Sequence, residues 1–278
     1  TYSDERPFAM MVGFPGPHCP YDPSPEYADR YRPEDMPDSI PEVAGAHPLL
    51  RQQNIAGNKR PWNGVDYSEF TEDHKKKIRA HYAALVKQID DITGRILQAL
   101  RESGQLDNTV ILFSSDHGDY LGDHGLIGKG QFFEASCHVP LIARMPGGPQ
   151  GQSNRELVAL ADVTPTMLAL AGADVPDYMD FMPLPELGLP RARRDYLYGM
   201  MGGGWMCFDG RWKLCKYSTG EHMLFDLIED PTEERNLLND GACGGTYLRL
   251  DRALTEEIMR STMASHHDKL VYDVDLSG

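Results

Sequence analysis

Asp116 and His117 are neighbours in the chain, and an oxygen donor beside a nitrogen donor can hold a divalent cation. Lys129 adds a point positive charge twelve residues beyond His117, and His18 offers a titratable group from far upstream. A cation together with a lysine can stabilise charge on a tetrahedral anion during group transfer. Blander readings stand beside this one. An Asp-His pair in a turn can simply be hydrogen-bonded, and a lone His18 can be a turn histidine in solvent.

The elements that must position these residues are visible in the pattern. Residues 110–113 (VILF) are a β-branched and aromatic run without polar alternation, which predicts a strand buried on both faces of a parallel sheet. Asp116 and His117 follow at its carboxyl end, where ligands gather in open α/β sheets. Successive strand residues point to opposite faces, so the two share a target only if the chain turns there; Gly118 and Gly122 permit that turn. Residues 8–13 (FAMMVG) predict a second strand, with His18 in the turn-rich stretch beyond it. Ile78, Tyr82, Leu85, Ile89, Ile92, Ile96 and Leu100 recur at three and four residues, the stripe of a long amphipathic helix with Thr71 as N-cap and Gly104 as terminator. Lys75 to Lys77 read as its solvated face.

Residues 33–63 hold five prolines and little periodicity, predicting an irregular excursion and a wall of a cleft. Residues 140–144 predict another strand, and Thr164 and Pro165 the N-cap and first position of a helix closed by Gly172. After a proline-rich linker, residues 196–200, 205–208, 212–217 and 223–226 predict a small antiparallel sheet, and residues 248–265 a closing helix. The alternation of strands and helices predicts an α/β fold with a mixed, mainly parallel sheet in three layers, over residues 1–175. Residues 176–278 form a linker and a small α+β subdomain.

The 278 residues are 41% hydrophobic and 25% charged, an ordinary globular balance with a substantial core. A net charge of −15 speaks against nucleic acid and anionic membranes as partners, because both require a basic footprint. No apolar run reaches membrane-spanning length. The five cysteines, at 19, 137, 207, 215 and 243, show no zinc spacing. Free thiols in such a chain lean towards a reducing compartment.

The segment SSDHGDYLGDHGLIGKGQFFEASCHVPLIARMPGG resembles the C-terminal active-site segment of the type I sulfatases of the alkaline phosphatase superfamily. Four further blocks agree in order: PFAMMVGFPGPHCPYDPSPEY, YAALVKQIDDITGRILQAL, LVALADVTPTMLALAG and DGRWKLCKYSTGEHMLFDLIEDPTEERNLL. By this resemblance the sheet is alkaline phosphatase-like but lacks its first strands. Asp116 and His117 are two ligands of one divalent ion, calcium in the first place and magnesium or manganese as alternatives. Lys129 contacts the sulfate and the bridging oxygen, His18 assists the leaving alcohol, and His124 supports the site without ligating. The implied nucleophile is a formylglycine made in a Cys-x-Pro-x-Arg context.

The sequence departs from the family there. Cys19 is followed by Pro20, Tyr21, Asp22 and Pro23 without an arginine, and Cys207, with Arg211 four residues on, has Asp209 in the proline position. Further metal-binding aspartates of the family also have no counterpart. The expectation is therefore the C-terminal part of a sulfuric ester hydrolase acting on a small-molecule sulfate ester, inactive alone and covered by its missing N-terminal part or another chain. A phosphonate or phosphate ester hydrolase of the same superfamily and a non-catalytic binding module are the alternatives.

Overall fold

The structure, a computed structural model, describes residues 6–43, 48–60, 64–201 and 203–267. The chain divides into two compact units: residues 1–39 with 68–106, and residues 40–67 with 107–278.

The first unit is organised on its long helix. A four-residue helix α1 (Pro25–Ala28) precedes it, and α2 (Pro48–Asn58) lies in the intervening segment that belongs to the second unit. The long helix α3 (Glu72–Glu102) starts at Thr71, whose hydroxyl accepts from the His74 amide while the His74 ring accepts from the Thr71 amide. Glu72 and Asp73 in its first turn complement the positive helix end. The predicted stripe residues are half-buried and only Ala80 and Ala84 are fully buried. Asp91 of α3 gathers the Tyr27 hydroxyl at 3.1 Å and the Lys87 ammonium at 2.5 Å.

The second unit contains both sheets found among the described residues. Strand β1 (Ile111–Ser114) pairs with β2 (Leu141–Arg144), and between them lies α4 (Glu134–Cys137), a single turn. Helix α5 (Val163–Leu170) follows, then β3 (Leu197–Met201), β4 (Gly204–Phe208), β5 (Trp212–Tyr217), β6 (His222–Asp226) and the closing helix α6 (Gly244–His267). The four C-terminal strands form an antiparallel meander in sequence order, as their spacing predicts. Its two faces are used differently. Cys215 and Tyr217 of β5 and Met223 and Phe225 of β6 join Tyr120, Leu126, Phe132 and Phe133 in one core, while Leu214, Leu224 and Cys207 pack on Leu250 and Leu254 of α6 in another. The period-two alternation of strands makes the sheet a wall between these layers.

Four sequence expectations are corrected. β1 pairs antiparallel with β2 and is half-buried, not buried on both faces of a parallel pair. Residues 8–13 join no sheet among the described residues, and Met10, Met11 and Val12 are exposed. A strand needs a hydrogen-bonded neighbour, which sequence patterning cannot supply. The segment 33–63, as far as it is described, includes the eleven-residue α2 with Leu50 buried; only residues 44–47 and 61–63 of it lie outside the described residues. Helix α5 begins at Val163, running on from a tight turn at Leu160–Asp162, because Asp162 is held by other partners. Its buried carboxylate accepts from the Ala159 and Met182 amides and pairs with both terminal nitrogens of Arg194, at 2.6 and 2.7 Å. That pair straps the irregular stretch between α5 and β3 onto α5, aided by the Thr166 hydroxyl accepting from the Leu184 amide.

Candidate active site

The chain leaves β1 at Ser114 and turns at once. The Ser115 hydroxyl donates to the His117 carbonyl at 2.8 Å, and the His117 amide donates to the Asp116 carboxylate at 2.9 Å. The Asp116 side chain is 82% exposed and the His117 ring 31%. His117 Nδ1 lies 2.8 Å from the Gly118 carbonyl oxygen. A carbonyl can only accept, so Nδ1 is the nitrogen that donates to Gly118 and Nε2 is the one left facing outward from that bond. Nε2 faces Asp116 Oδ2 at 3.5 Å.

Gly118 is required for a reason other than turn geometry. Its amide donates to the Ser136 carbonyl at 2.9 Å, and a Cβ at this position would stand 2.1 Å from the Ala135 carbonyl oxygen. Gly122, at φ +101°, does adopt the left-handed conformation that its residue type allows.

From here the chain makes a closed loop back to Lys129. The Asp119 carboxylate accepts from the Leu121 and Gly128 amides at 3.0 and 2.9 Å, and the Tyr120 amide donates to the Gly128 carbonyl. The buried Tyr120 hydroxyl bridges both polar groups of the Gln131 backbone, accepting from its amide at 2.7 Å and donating to its carbonyl at 3.0 Å. On the outer side, Asn54 of α2 donates to the Lys129 carbonyl at 3.0 Å and accepts from the Tyr67 hydroxyl. Lys129 itself is exposed on the returning limb of the loop.

His124 is buried in the same loop, stacked on Phe133 with ring centroids 4.1 Å apart and with Nδ1 3.2 Å from the Pro41 carbonyl. Burial pushes its imidazole below the usual histidine range. His18 lies in the first unit, where its Nδ1 is 2.8 Å from the Cys19 carbonyl.

The structure thus brings Asp116 and His117 together and carries Lys129 on the loop they open. Sequence reasoning missed the supports. Asn54, Asp119 and Tyr120 fix the loop, and a buried ion cluster lies behind it: Lys213 Nζ sits 2.7 Å from Glu134 and 2.6 Å from Glu233. Asp119, flanked by glycine in a turn-rich stretch, carried a local signal for an acceptor of nearby amides. Asn54 and Glu233 meet their partners across 75 and 99 residues and carried none.

An oxygen and a nitrogen 3.5 Å apart fit two neighbouring ligands of one divalent ion. The Nδ1 bond to a backbone carbonyl is the orientation that metal-binding histidines commonly have. Among the described residues no group of three or more His, Cys, Asp and Glu side chains is assembled to hold a metal, so the pair is at most part of such a site.

Solved structures of similar architecture define the class. Phosphonate monoester hydrolase of Agrobacterium radiobacter superposes with a TM-score of 0.74 at 30% identity, over 90% of this chain and 55% of that one. The α/β fold is thereby that of the alkaline phosphatase superfamily. Within it, the sulfatase family model matches residues 1–173. An arylsulfatase of Clostridium perfringens is 34% identical over 84% of this chain and 50% of its own length, and a choline-sulfatase of Rhizobium meliloti is 32% identical over 96% and 52%. The chain belongs to the sulfatase family, a membership that implies a divalent metal. It spans about half the length of the relatives it matches.

Proposed function

We propose that this chain is the C-terminal part of a sulfuric ester hydrolase, and that Asp116 and His117 supply two ligands of the metal in a site whose nucleophile lies in an N-terminal part. The observation that carries the reading is the His117 ring, held through Nδ1 on Gly118 with Nε2 facing Asp116. Residues 1–175 are then the remainder of the sulfatase α/β domain and residues 176–278 its linker and C-terminal subdomain. The exposed Met10, Met11 and Val12 in the first unit, and separately the exposed Ile142 on β2 in the second, are apolar side chains that upstream strands or a covering chain would bury.

In the proposed reaction the metal, calcium with magnesium or manganese as alternatives, supplies positive charge for the sulfate oxygens when bound. Lys129 adds a second positive charge at the sulfate and the bridging oxygen. His18 gives a proton to the departing alcohol. A formylglycine from the missing part is the nucleophile. Cys207 supports the view that this chain holds none. It is fully buried in the face of the sheet that packs on α6, and burial pushes its thiol up to about 12.

The test is reconstitution. The 278-residue chain alone should hydrolyse neither aryl sulfates nor phosphonate monoesters, and it should show no saturable calcium binding below on the order of 1 mM. The full-length protein should hydrolyse aryl sulfates and lose that activity on Asp116→Ala. Turnover by the chain alone would sink the proposal. The second reading, phosphonate ester hydrolysis, is favoured by the structural likeness at 30% identity, and comparison of the two ester classes on the full-length protein separates them. A full-length protein inactive on both would leave the binding module.

A further inference from the structure

We propose that Glu233, in the C-terminal subdomain, is a positioning residue for His117. Helix α4 is four residues long and has too few internal hydrogen bonds to hold itself. Glu233 grips it at two points. One carboxylate oxygen accepts the Glu134 amide at 2.6 Å; the other pairs at 2.6 Å with Lys213 Nζ, which holds the Glu134 side chain at 2.7 Å. Glu134 is therefore fixed through backbone and side chain together.

The far end of the same turn holds the site. The Ser136 carbonyl accepts from the Gly118 amide, the Ala135 carbonyl is packed where a Gly118 side chain would be, and the Gly118 carbonyl accepts from His117 Nδ1. A shift of α4 moves Gly118, and a shift of Gly118 removes the acceptor that holds the His117 ring through Nδ1. Glu233 occupies a left-handed backbone conformation, φ +56°, that a glutamate rarely adopts, and its side chain is 1% exposed. Both costs are met at a residue whose contacts converge on one turn. The role deepens the ester-hydrolase reading and rests on it for meaning, but its test needs no turnover, so either can fail alone.

The experiment is 15N NMR of the histidine rings in the full 278-residue chain, where long-range couplings report which ring nitrogen is protonated. Wild type should show His117 protonated at Nδ1. Glu233→Ala should lose that signature and populate the other tautomer, while the amide shifts of β3 and α6, which contain neither Glu233 nor Lys213, stay in place. Glu233→Gln, which keeps an acceptor for the Glu134 amide, should retain it. A folded Glu233→Ala protein with the wild-type tautomer overturns the proposal. If that variant does not fold, amide exchange on wild type decides. Equal protection of the Gly118 and Glu134 amides supports the linkage, and an unprotected Gly118 beside a protected Glu134 refutes it.

Discussion

Asn54 and Lys129, 75 residues apart in sequence, are joined by a hydrogen bond from the Asn54 amide group to the Lys129 carbonyl at 3.0 Å. Asn54 also accepts from the Tyr67 hydroxyl and, at 3.4 Å, from the Ile127 amide. Asn54→Ala should leave these groups without their partner and cost about 1–3 kcal/mol. Urea unfolding gives the cost, and hydrogen exchange should show faster opening at residues 127–131. An unchanged midpoint and exchange pattern would remove Asn54 from the loop's supports.

Gly118 has no room for a methyl group, since the obstacle is the Ala135 backbone and not a flexible side chain. Gly118→Ala should destabilise by about 1–3 kcal/mol, as overpacking does, with each kcal/mol lowering Tm by roughly 2–4 °C in a domain of this size. Thermal unfolding with Gly130→Ala for comparison is informative. Gly130 has open space but a left-handed φ, so its loss reports backbone strain alone, and a Gly118→Ala protein with an unchanged Tm would contradict the steric argument.

The Asp162–Arg194 pair is buried, with the Asp162 side chain at 0% exposure. Removing one partner leaves an uncompensated charge, and Asp162→Ala should cost about 3–5 kcal/mol. The stretch between α5 and β3 should also become the first site of limited proteolysis. Cleavage elsewhere, with the stretch still resistant, would mean that the strap is held by other contacts.

His124 links stability to pH. Its folded-state pKa is depressed by burial, so between that value and the unfolded value of about 6.5 the unfolded chain binds the extra proton. The stability it contributes is complete above about pH 6.5 and is lost as pH falls towards the folded value. Urea midpoints measured from pH 8 to pH 5 should drop more steeply for wild type than for His124→Gln. Burial also depresses His222, but that term is common to both chains and cancels. Parallel curves would show that His124 is not the linked group.

What could be read in the sequence was what local pattern encodes. The α3 stripe, its Thr71 cap, the four C-terminal strands and the closing helix all rest on spacing within one element, and they fall within a few residues of where the sequence puts them. The placement of Asp116 and His117 just beyond a strand end was legible for the same reason. Helix α2 was hidden by the prolines around it, although Leu50 and Asn54 lie one turn apart on its inner face. The antiparallel pairing of β1 with β2 and the Lys213–Glu233–Glu134 cluster depend on partners far away in sequence. No periodicity announces such partners.

The family match stops at residue 173, yet Phe132 and Phe133 share a core with Tyr217 and Phe225, and α4 leans on Lys213 and Glu233. A scissors cut at the family boundary would therefore strip the Asp116–Lys129 loop of its backing and leave an aromatic pair and an acidic side chain facing water. The two halves are not interchangeable cassettes. In this chain residues 213 and 233 pack with the 116–136 segment, so a chimera that replaces the C-terminal sheet keeps that packing only if it retains the lysine and the glutamate at those two positions.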